Sequence, residues 1–461
     1  MPDGFIDELR NMLDKGSVLC GAEIDARYHH DMAGIPVPKP RAVVRPRTTE
    51  QVSALLQLCH RHGVPVTTQG GMTGLVRAAL PNAGEIVLSM ERMNAIEEVD
   101  VSGGVAIAQA GTPLQKLQER VEQDGMMFPL DLGARGSCSI GGNLATNAGG
   151  NRVIKYGMMR DQVLGVEAVL ASGEIIGGMN KMIKNNSGYD LRHLLIGSEG
   201  TLAVITRVVL RLRPKPTATA TAWCGLPDFA AVTTLLTRAQ ASLAPGVSAF
   251  EVMWAGYHDT VIANLKNLRA PLAEAHPFYV LLESVGTDPV RHGEAFEEFL
   301  GGMLDAGIVT DAAIASNEAH ARDFWAIRDA PGEYDRFIPN YAAYDVSFSI
   351  AQVGDAAAQC EARLRARWPD AIVMTYGHLG DGNIHIVVDL PGRGKQDHDD
   401  IDAVIYDVTR EFEGSISAEH GIGMKKRDYL HLARRETDIA AMRAIKASLD
   451  PHGLLNPGKV F

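Results

Sequence analysis

The sequence predicts an α+β protein of two or three domains, and three features carry that expectation. Its 461 residues, 46% hydrophobic and 22% charged, can bury substantial cores and exceed one typical domain. Short apolar strands alternate with amphipathic helices on both sides of a Pro214-Lys215-Pro216 break, a natural domain boundary. No internal repeat or low-complexity tract interrupts the pattern.

Taken in order, a short helical start leads to the extended Ala42-Val43-Val44-Arg45-Pro46. Thr48 then caps an amphipathic helix running toward His60, and Gly63-Val64-Pro65-Val66 returns the chain to a strand. Further strands are expected at residues 85–89 and 104–109, then a glycine-rich region over 133–150, then strands around 163–171 and 202–212. Beyond the break, helices over 229–243, 290–306 and 354–368 alternate with strands over 279–284, 372–376 and 384–389. A last helix over 438–449 is stopped by Asp450-Pro451-His452-Gly453.

Composition excludes several classes. A net charge of -12, with no segment dominated by Lys and Arg, argues against nucleic acid as a partner. The opening Met1-Pro2-Asp3-Gly4-Phe5-Ile6-Asp7-Glu8 is acidic where a secretory signal is basic and then apolar. Apolar runs such as Ile86-Val87-Leu88 are too short to cross a bilayer. Cys20, Cys59, Cys138, Cys224 and Cys360 are scattered, without a Cys-x-x-Cys pair, which suits a reducing compartment. The expectation is a cytoplasmic protein, or one peripheral to the inner membrane.

The glycines narrow the chemistry. There is no Gly-x-Gly-x-x-Gly fingerprint for a nicotinamide cofactor. Gly453 to Lys459 has the spacing of a phosphate loop, but Val460 replaces the metal-binding hydroxyl and the chain ends at Phe461 without a helix. Two stretches remain, Thr68-Gln69-Gly70-Gly71-Met72-Thr73-Gly74 and residues 136–150, Gly136-Ser137-Cys138-Ser139-Ile140-Gly141-Gly142-Asn143-Leu144-Ala145-Thr146-Asn147-Ala148-Gly149-Gly150. Glycines this dense let backbone amides converge on an anion, and a pyrophosphate suits them. One such stretch alone is more often an ordinary surface turn; two in one domain shift the balance.

These two stretches, together with Ile196-Gly197-Ser198-Glu199-Gly200-Thr201-Leu202, resemble the flavin domain of the vanillyl-alcohol-oxidase-like flavoproteins. The resemblance implies non-covalent FAD, with Gly70, Gly71, Met72, Thr73 and Gly74 at the pyrophosphate. Gly136, Ser137, Ile140, Gly141, Gly142, Thr146, Asn147, Gly200, Ile205 and Asn456 follow along the rest of the cofactor. The first loop holds no His or Cys for a covalent link, and Cys138 reads as a small lining residue. Arg77-Ala78 departs from the two glycines that relatives often carry at the loop's exit.

His378-Leu379-Gly380-Asp381-Gly382-Asn383-Ile384-His385 is the sharpest local signal. Gly380 and Gly382 fold it into a turn between strands that can aim both imidazoles inward. Ser417-Ala418-Glu419-His420-Gly421-Ile422-Gly423 adds a carboxylate and a third histidine. A lone histidine in a strand is more often a hydrogen-bonded core residue than a ligand; histidines clustered at glycine turns are less easily so explained. Two imidazoles and one carboxylate with open positions suit zinc or a similar divalent ion. Spacing alone does not join Glu419 to the two histidines.

These segments resemble the C-terminal domain of the FAD-dependent D-2-hydroxyacid dehydrogenases, the D-lactate, glycolate and D-2-hydroxyglutarate enzymes. The likeness runs from about Ala42 to Phe461 and includes the closing Leu455-Asn456-Pro457-Gly458-Lys459. It implies a two-subdomain FAD-binding domain of the vanillyl-alcohol-oxidase type over 1–214. An α+β substrate and metal domain with an antiparallel sheet follows over 215–415, and a segment over 416–461 completes the active site. His378, His385 and Glu419 are then the metal ligands, for zinc or else manganese or iron. His420 is the base beside the substrate hydroxyl, hydride goes from Cα to flavin N5, and Arg328 receives the substrate carboxylate. On sequence alone Arg328 could equally be a helix-surface arginine, and Asn383 either orients the substrate or forms the turn. The expected substrate is a small D-2-hydroxy acid, the acceptor an electron-transfer flavoprotein, quinone or cytochrome, and the assembly a homodimer. Ala343 stands where D-2-hydroxyglutarate-specific relatives carry lysine, and Gly332 near a missing hydroxyl. That leaves D-lactate open unless Arg336 or Lys425 serves a distal carboxylate. Two other readings compete: an oxidase passing electrons to oxygen, marked by peroxide, and a metal-dependent hydrolase or binding protein with degenerate flavin loops, marked by a colourless preparation.

Overall fold

The computed structural model describes residues 4–31, 37–394 and 398–461. The chain forms two compact units: Met1–Gly149, Met158–Lys215 and Glu419–Phe461 make the first, and Gly150–Gly157 with Pro216–Ala418 the second.

The first unit holds two principal sheets. In one, the strands run in the order Val18–Leu19, Ala42–Val44, Ile86–Ser89, Val66–Gln69, the last three parallel. Parallel pairing needs a crossover, and the helix Thr49–His62 supplies it. Its ends are fixed locally: the Thr48 side chain accepts from Gln51 N, and Gly63 at φ 60° closes the last turn in the left-handed region. The second sheet is antiparallel, in the order Ile96–Asp100, Val105–Gln109, Val204–Arg211, Val163–Val169, Ile175–Gly178. Leu55, Val66, Leu88, Ala108, Ile140 and Val208 share one core between these elements. The glycine-rich region contains a short helix, Ile140–Ala145, whose N-cap Ser139 accepts from Gly142 N.

The second unit is built on seven antiparallel strands in the order Asp311–Ile314, Ala218–Leu226, Phe278–Gly286, Val247–Trp254, Ile372–His378, Asn383–Asp389, Ala342–Ser347. Side chains alternate between the faces of a sheet. One face presents Trp223, Met253, Tyr279, Leu281 and Tyr376 to the helices Ala255–Asn264 and Glu318–Arg328, which contribute Tyr257, Val261, Phe324 and Ile327 to the same core.

Among the described residues no helix is long and apolar enough to cross a membrane. Cys59, Cys138, Cys224 and Cys360 are buried, and burial pushes the thiols of Cys59, Cys224 and Cys360 up to about 12. Thiolate is the reactive form. Titration of the native protein with a disulfide reagent at pH 8 is therefore expected to modify at most the half-buried Cys20, the other four reacting only after denaturation. Rapid reaction of two or more thiols in the folded protein would contradict this burial.

Candidate active site

In the second unit the site grows out of strand register. The strands Ile372–His378 and Asn383–Asp389 form a tight hairpin in which His378 faces Asn383 and Tyr376 faces His385. Gly382 turns it at φ 79°, a conformation that disfavours a side chain, and a Cβ there would also meet the Phe348 carbonyl oxygen. Directly paired residues in antiparallel strands project to the same face, so all four side chains lie together. The pairings Glu251 with His378 and Asp345 with His385 add two carboxylates to that face. The imidazoles of His378 and His385 lie 5.5 Å apart between centroids.

Glu251 is buried at 1% exposure and uses both oxygens: Oε2 accepts from Arg328 Nε at 2.7 Å, and Oε1 lies 2.8 Å from His378 Nδ1. Burial alone would raise this carboxyl, but His378 and Arg328 together hold it below the usual carboxylate range. Arg328 ends the helix Glu318–Arg328, which Asn317 caps, and it is 8% exposed, so it is no surface arginine. Its Nη2 also reaches His378 Nε2 at 3.0 Å. Asn383 is 3% exposed, and among the described residues neither its amide nitrogen nor its oxygen has a hydrogen-bond partner. An orphan amide of this kind is costly unless something else meets it, which favours a ligand-directed role over that of a turn former. Asp345 accepts from the Ser417 hydroxyl at 3.3 Å and from Ala418 N at 3.1 Å, a structural role.

The first unit contains a cleft of about 330 Å³ lined by both glycine loops and the C-terminal segment. Gly70, Gly71, Met72, Thr73, Gly74, Gly141, Gly142, Thr146, Gly200, Ile205, Asn456, Glu419 and His420 line it, as does Cys138. Four further sequence-predicted cofactor residues do not. Gly136 and Ser137 are exposed, Ile140 lies in the core, and Asn147 accepts from Arg160 N at 2.9 Å. The glycines have a second reason beyond cofactor room. A Cβ on Gly71 would collide with the Ser137 carbonyl oxygen and stand 2.8 Å from Cys138 Cα, and one on Gly141 would stand 2.6 Å from Ala110 Cβ. The loops thus approach each other backbone to backbone at Gly71, while Gly141 packs against Ala110, just past the strand Val105–Gln109. Gly74 has no described atom within 4 Å of its Cβ position. Gly71→Ala is expected to force the loops apart, costing about 1–3 kcal/mol and lowering the flavin-to-protein ratio on purification. A variant with wild-type Tm and flavin content would show that the loops yield freely.

Arg77, at the exit of the first loop, adopts φ 61° where a glycine would be unstrained. Glu199 organises the other side of the cleft. Its carboxylate accepts from Ile422 N at 2.7 Å and Gly423 N at 2.8 Å, and its carbonyl accepts from Asn456 Nδ2 at 2.6 Å. The turn that follows Glu419 and His420 is thereby pinned. Burial pushes the Glu199 carboxyl up, against those two amide donors and Lys426. Lys459, the lysine of the phosphate-loop look-alike, is buried with Nζ 3.1 Å from Thr67 Oγ1 and 3.7 Å from Glu85. Its charge is matched internally.

Sequence reasoning missed Glu251, Glu283 and Glu199. Glu283 accepts from Ser248 Oγ at 2.9 Å and from Trp325 Nε1 at 3.1 Å, bracing the helix that carries Arg328. A signal existed for the first two: each is a lone carboxylate inside an otherwise apolar strand, where a buried charge requires a partner.

A cleft lined by two glycine loops suits a flavin, and the comparisons make the protein a flavin-binding one. Residues 40–177 match an FAD binding domain, and residues 215–460 match the C-terminal domain of FAD linked oxidases. The chain is 41% identical over 422 residues to a mitochondrial D-2-hydroxyglutarate dehydrogenase of Bos taurus, covering 91% of this chain and 77% of that one. It is 38% identical over 441 residues to a D-2-hydroxyglutarate dehydrogenase of Xanthomonas citri pv. viticola, covering 94% of this chain and 92% of that one. Among solved structures, p-cresol methylhydroxylase with substrate bound superposes with a TM-score of 0.77 at 17% identity, over 99% of this chain and 96% of that one, a likeness of fold. The chain belongs to the FAD-dependent D-2-hydroxyacid dehydrogenase family, with the vanillyl-alcohol-oxidase type of fold, and is an FAD-dependent oxidoreductase.

Proposed function

We propose that the protein oxidises the 2-hydroxyl of D-2-hydroxyglutarate to the 2-oxo acid. The observation that carries this is the kinship with dehydrogenases named for that substrate, 41% and 38% identical across at least nine-tenths of the chain. FAD supplies the hydride acceptor, at N5, and a divalent ion supplies the positive charge that makes loss of the hydroxyl proton feasible near neutral pH. His378, His385 and Glu419 would hold that ion. Two neutral imidazoles and one carboxylate suit zinc, with manganese or iron as alternatives. His420 takes the proton from the substrate hydroxyl oxygen, Arg328 receives the 2-carboxylate through its guanidinium, and the orphan amide of Asn383 orients the substrate. Electrons then leave to an electron-transfer flavoprotein, a quinone or a cytochrome, from a homodimer.

One observation favours a second substrate, D-lactate. Ala343 and Gly332 offer nothing to a distal carboxylate, and Arg336 is exposed and paired with Glu333 at 2.6 Å. The deciding experiment is an anaerobic visible titration with D-2-hydroxyglutarate, D-lactate and their L enantiomers, before and after EDTA. Bleaching of the flavin band by D-2-hydroxyglutarate, abolished by EDTA and restored by zinc or manganese, supports the reading. Bleaching by D-lactate alone moves the substrate. A flavin reduced by no hydroxy acid overturns the reading, and peroxide formed under air makes the protein an oxidase.

A further inference from the structure

Arg328, His378 and Glu251 meet in the second unit with a donor pattern that leaves one arrangement of protons. A guanidinium only donates. Nη2 of Arg328 lies 3.0 Å from His378 Nε2 and 3.3 Å from Nδ1, so Arg328 does not choose between the nitrogens; a carboxylate only accepts, so Glu251 does, and the neutral ring must carry its proton on Nδ1. Oε1 of Glu251, 2.8 Å away, accepts that proton's hydrogen bond while Oε2 accepts from Arg328 Nε at 2.7 Å. Strand register enforces the encounter, because Glu251 and His378 are direct partners on neighbouring strands.

We propose that Glu251 is a positioning residue that locks His378 as the Nδ1–H tautomer, leaving on Nε2 the lone pair that a divalent cation would take in place of the Arg328 Nη2 contact. The inference rests on the metal reading above and goes beyond it, because it assigns the device that makes one ligand competent. A carboxylate behind a ligating imidazole fixes the ring's orientation and raises its basicity, and losing such a partner costs about 10- to 100-fold in metal affinity.

The amide analogue gives a sharp test. In Glu251→Gln one acceptor oxygen becomes an NH2 donor, and Arg328 cannot accept from it. The oxygen stays on Arg328 Nε–H, the NH2 turns to His378 Nδ1, and the proton moves to Nε2, where it blocks the ligand position. Adding Arg328→Gln reverses this, because its amide oxygen falls where Arg328 Nε stood and can accept from the NH2 introduced by the first substitution. The amide oxygen introduced with that NH2 is then free for Nδ1–H. The measurement is zinc affinity of the EDTA-treated, FAD-loaded protein by competition with a chromophoric chelator, with flavin content and Tm recorded alongside. E251Q is expected to weaken zinc binding about 10- to 100-fold, R328Q to bind zinc no more weakly than the wild type because it removes the Nη2 contact at Nε2, and E251Q/R328Q to recover most of the loss. A merely structural role would make the double variant no better than E251Q. If E251Q does not retain flavin, E251Q/R328Q against E251L/R328Q carries the test, because leucine fills the space without an acceptor and only that variant should lose zinc. Wild-type affinity in E251Q, or equal affinity in the two doubles, overturns the inference. Failure of the wild type to bind zinc, or unchanged binding in H378Q, overturns the metal reading instead.

Discussion

Arg328→Ala is expected to destabilise the second unit by about 3–5 kcal/mol at pH 7, because it strands a carboxylate that is 1% exposed. Among the described residues Glu251 would keep only His378 as a side-chain partner, and a buried charge missing its counter-ion is among the costliest single changes a fold meets. The deficit should depend on pH in a definite direction. In the wild type the folded Glu251 carboxyl lies below its unfolded value, so its contribution is present above about pH 4.3 and is lost as pH falls through the folded value. The variant no longer enjoys that contribution, and a protonated Glu251 needs no counter-ion, so the gap between the two proteins should narrow as pH falls toward 4. Urea unfolding at pH 7 and pH 4.5, followed by far-ultraviolet circular dichroism, would measure it. A gap of the same size at both values would contradict the account. Arg328→Lys should recover only part of the loss, since an ammonium cannot reproduce Nε and Nη2 donating in different directions.

His420→Ala is expected to slow flavin reduction by the D-hydroxy acid about 10²- to 10⁴-fold, the range for removing a positioned base. Flavin content should stay near wild type, because Glu199 still holds the turn through Ile422 N and Gly423 N. Gly421 fits this turn at φ 85°, with the Glu199 carboxylate 2.8 Å from where a Cβ would stand. Stopped-flow traces of the flavin band under saturating substrate would read the rate directly. A reduction rate within a few-fold of wild type would remove His420 from the role of base and leave it as a wall of the cleft.

Local signals carried much of the fold and part of the site. Thr48 and Gly63 announced the ends of the helix Thr49–His62, and the glycines of the hairpin announced the turn between His378 and His385. What local signals could not carry was pairing across long separations. Glu251 meets His378 only because their strands are neighbours in the seven-stranded sheet, 127 residues apart in sequence. The strand Val247–Trp254 showed no alternation because it is buried on both faces, so its one carboxylate passed unnoticed. The glycine loops were read as making room for a cofactor, whereas Gly71 and Gly141 are needed by the chain's own close approach. A sequence shows that a side chain is absent without showing what takes its place.

The discontinuity of the two units has a consequence for cleavage. Residues 181–190 are exposed throughout, and they include Lys184. A tryptic cut after Lys184 yields fragments 1–184 and 185–461, and neither fragment corresponds to a unit. The N-terminal piece brings Met1–Gly149 and the residues from Met158 to the first unit and the Gly150–Gly157 passage to the second, while the C-terminal piece supplies the remainder of both. The two polypeptides are threaded through two separate cores, so the nicked protein should run as two bands in denaturing gels yet elute as one flavin-coloured particle. The same interlocking makes the chain a candidate for fragment complementation, with oxidoreductase activity regained only when both halves are made together.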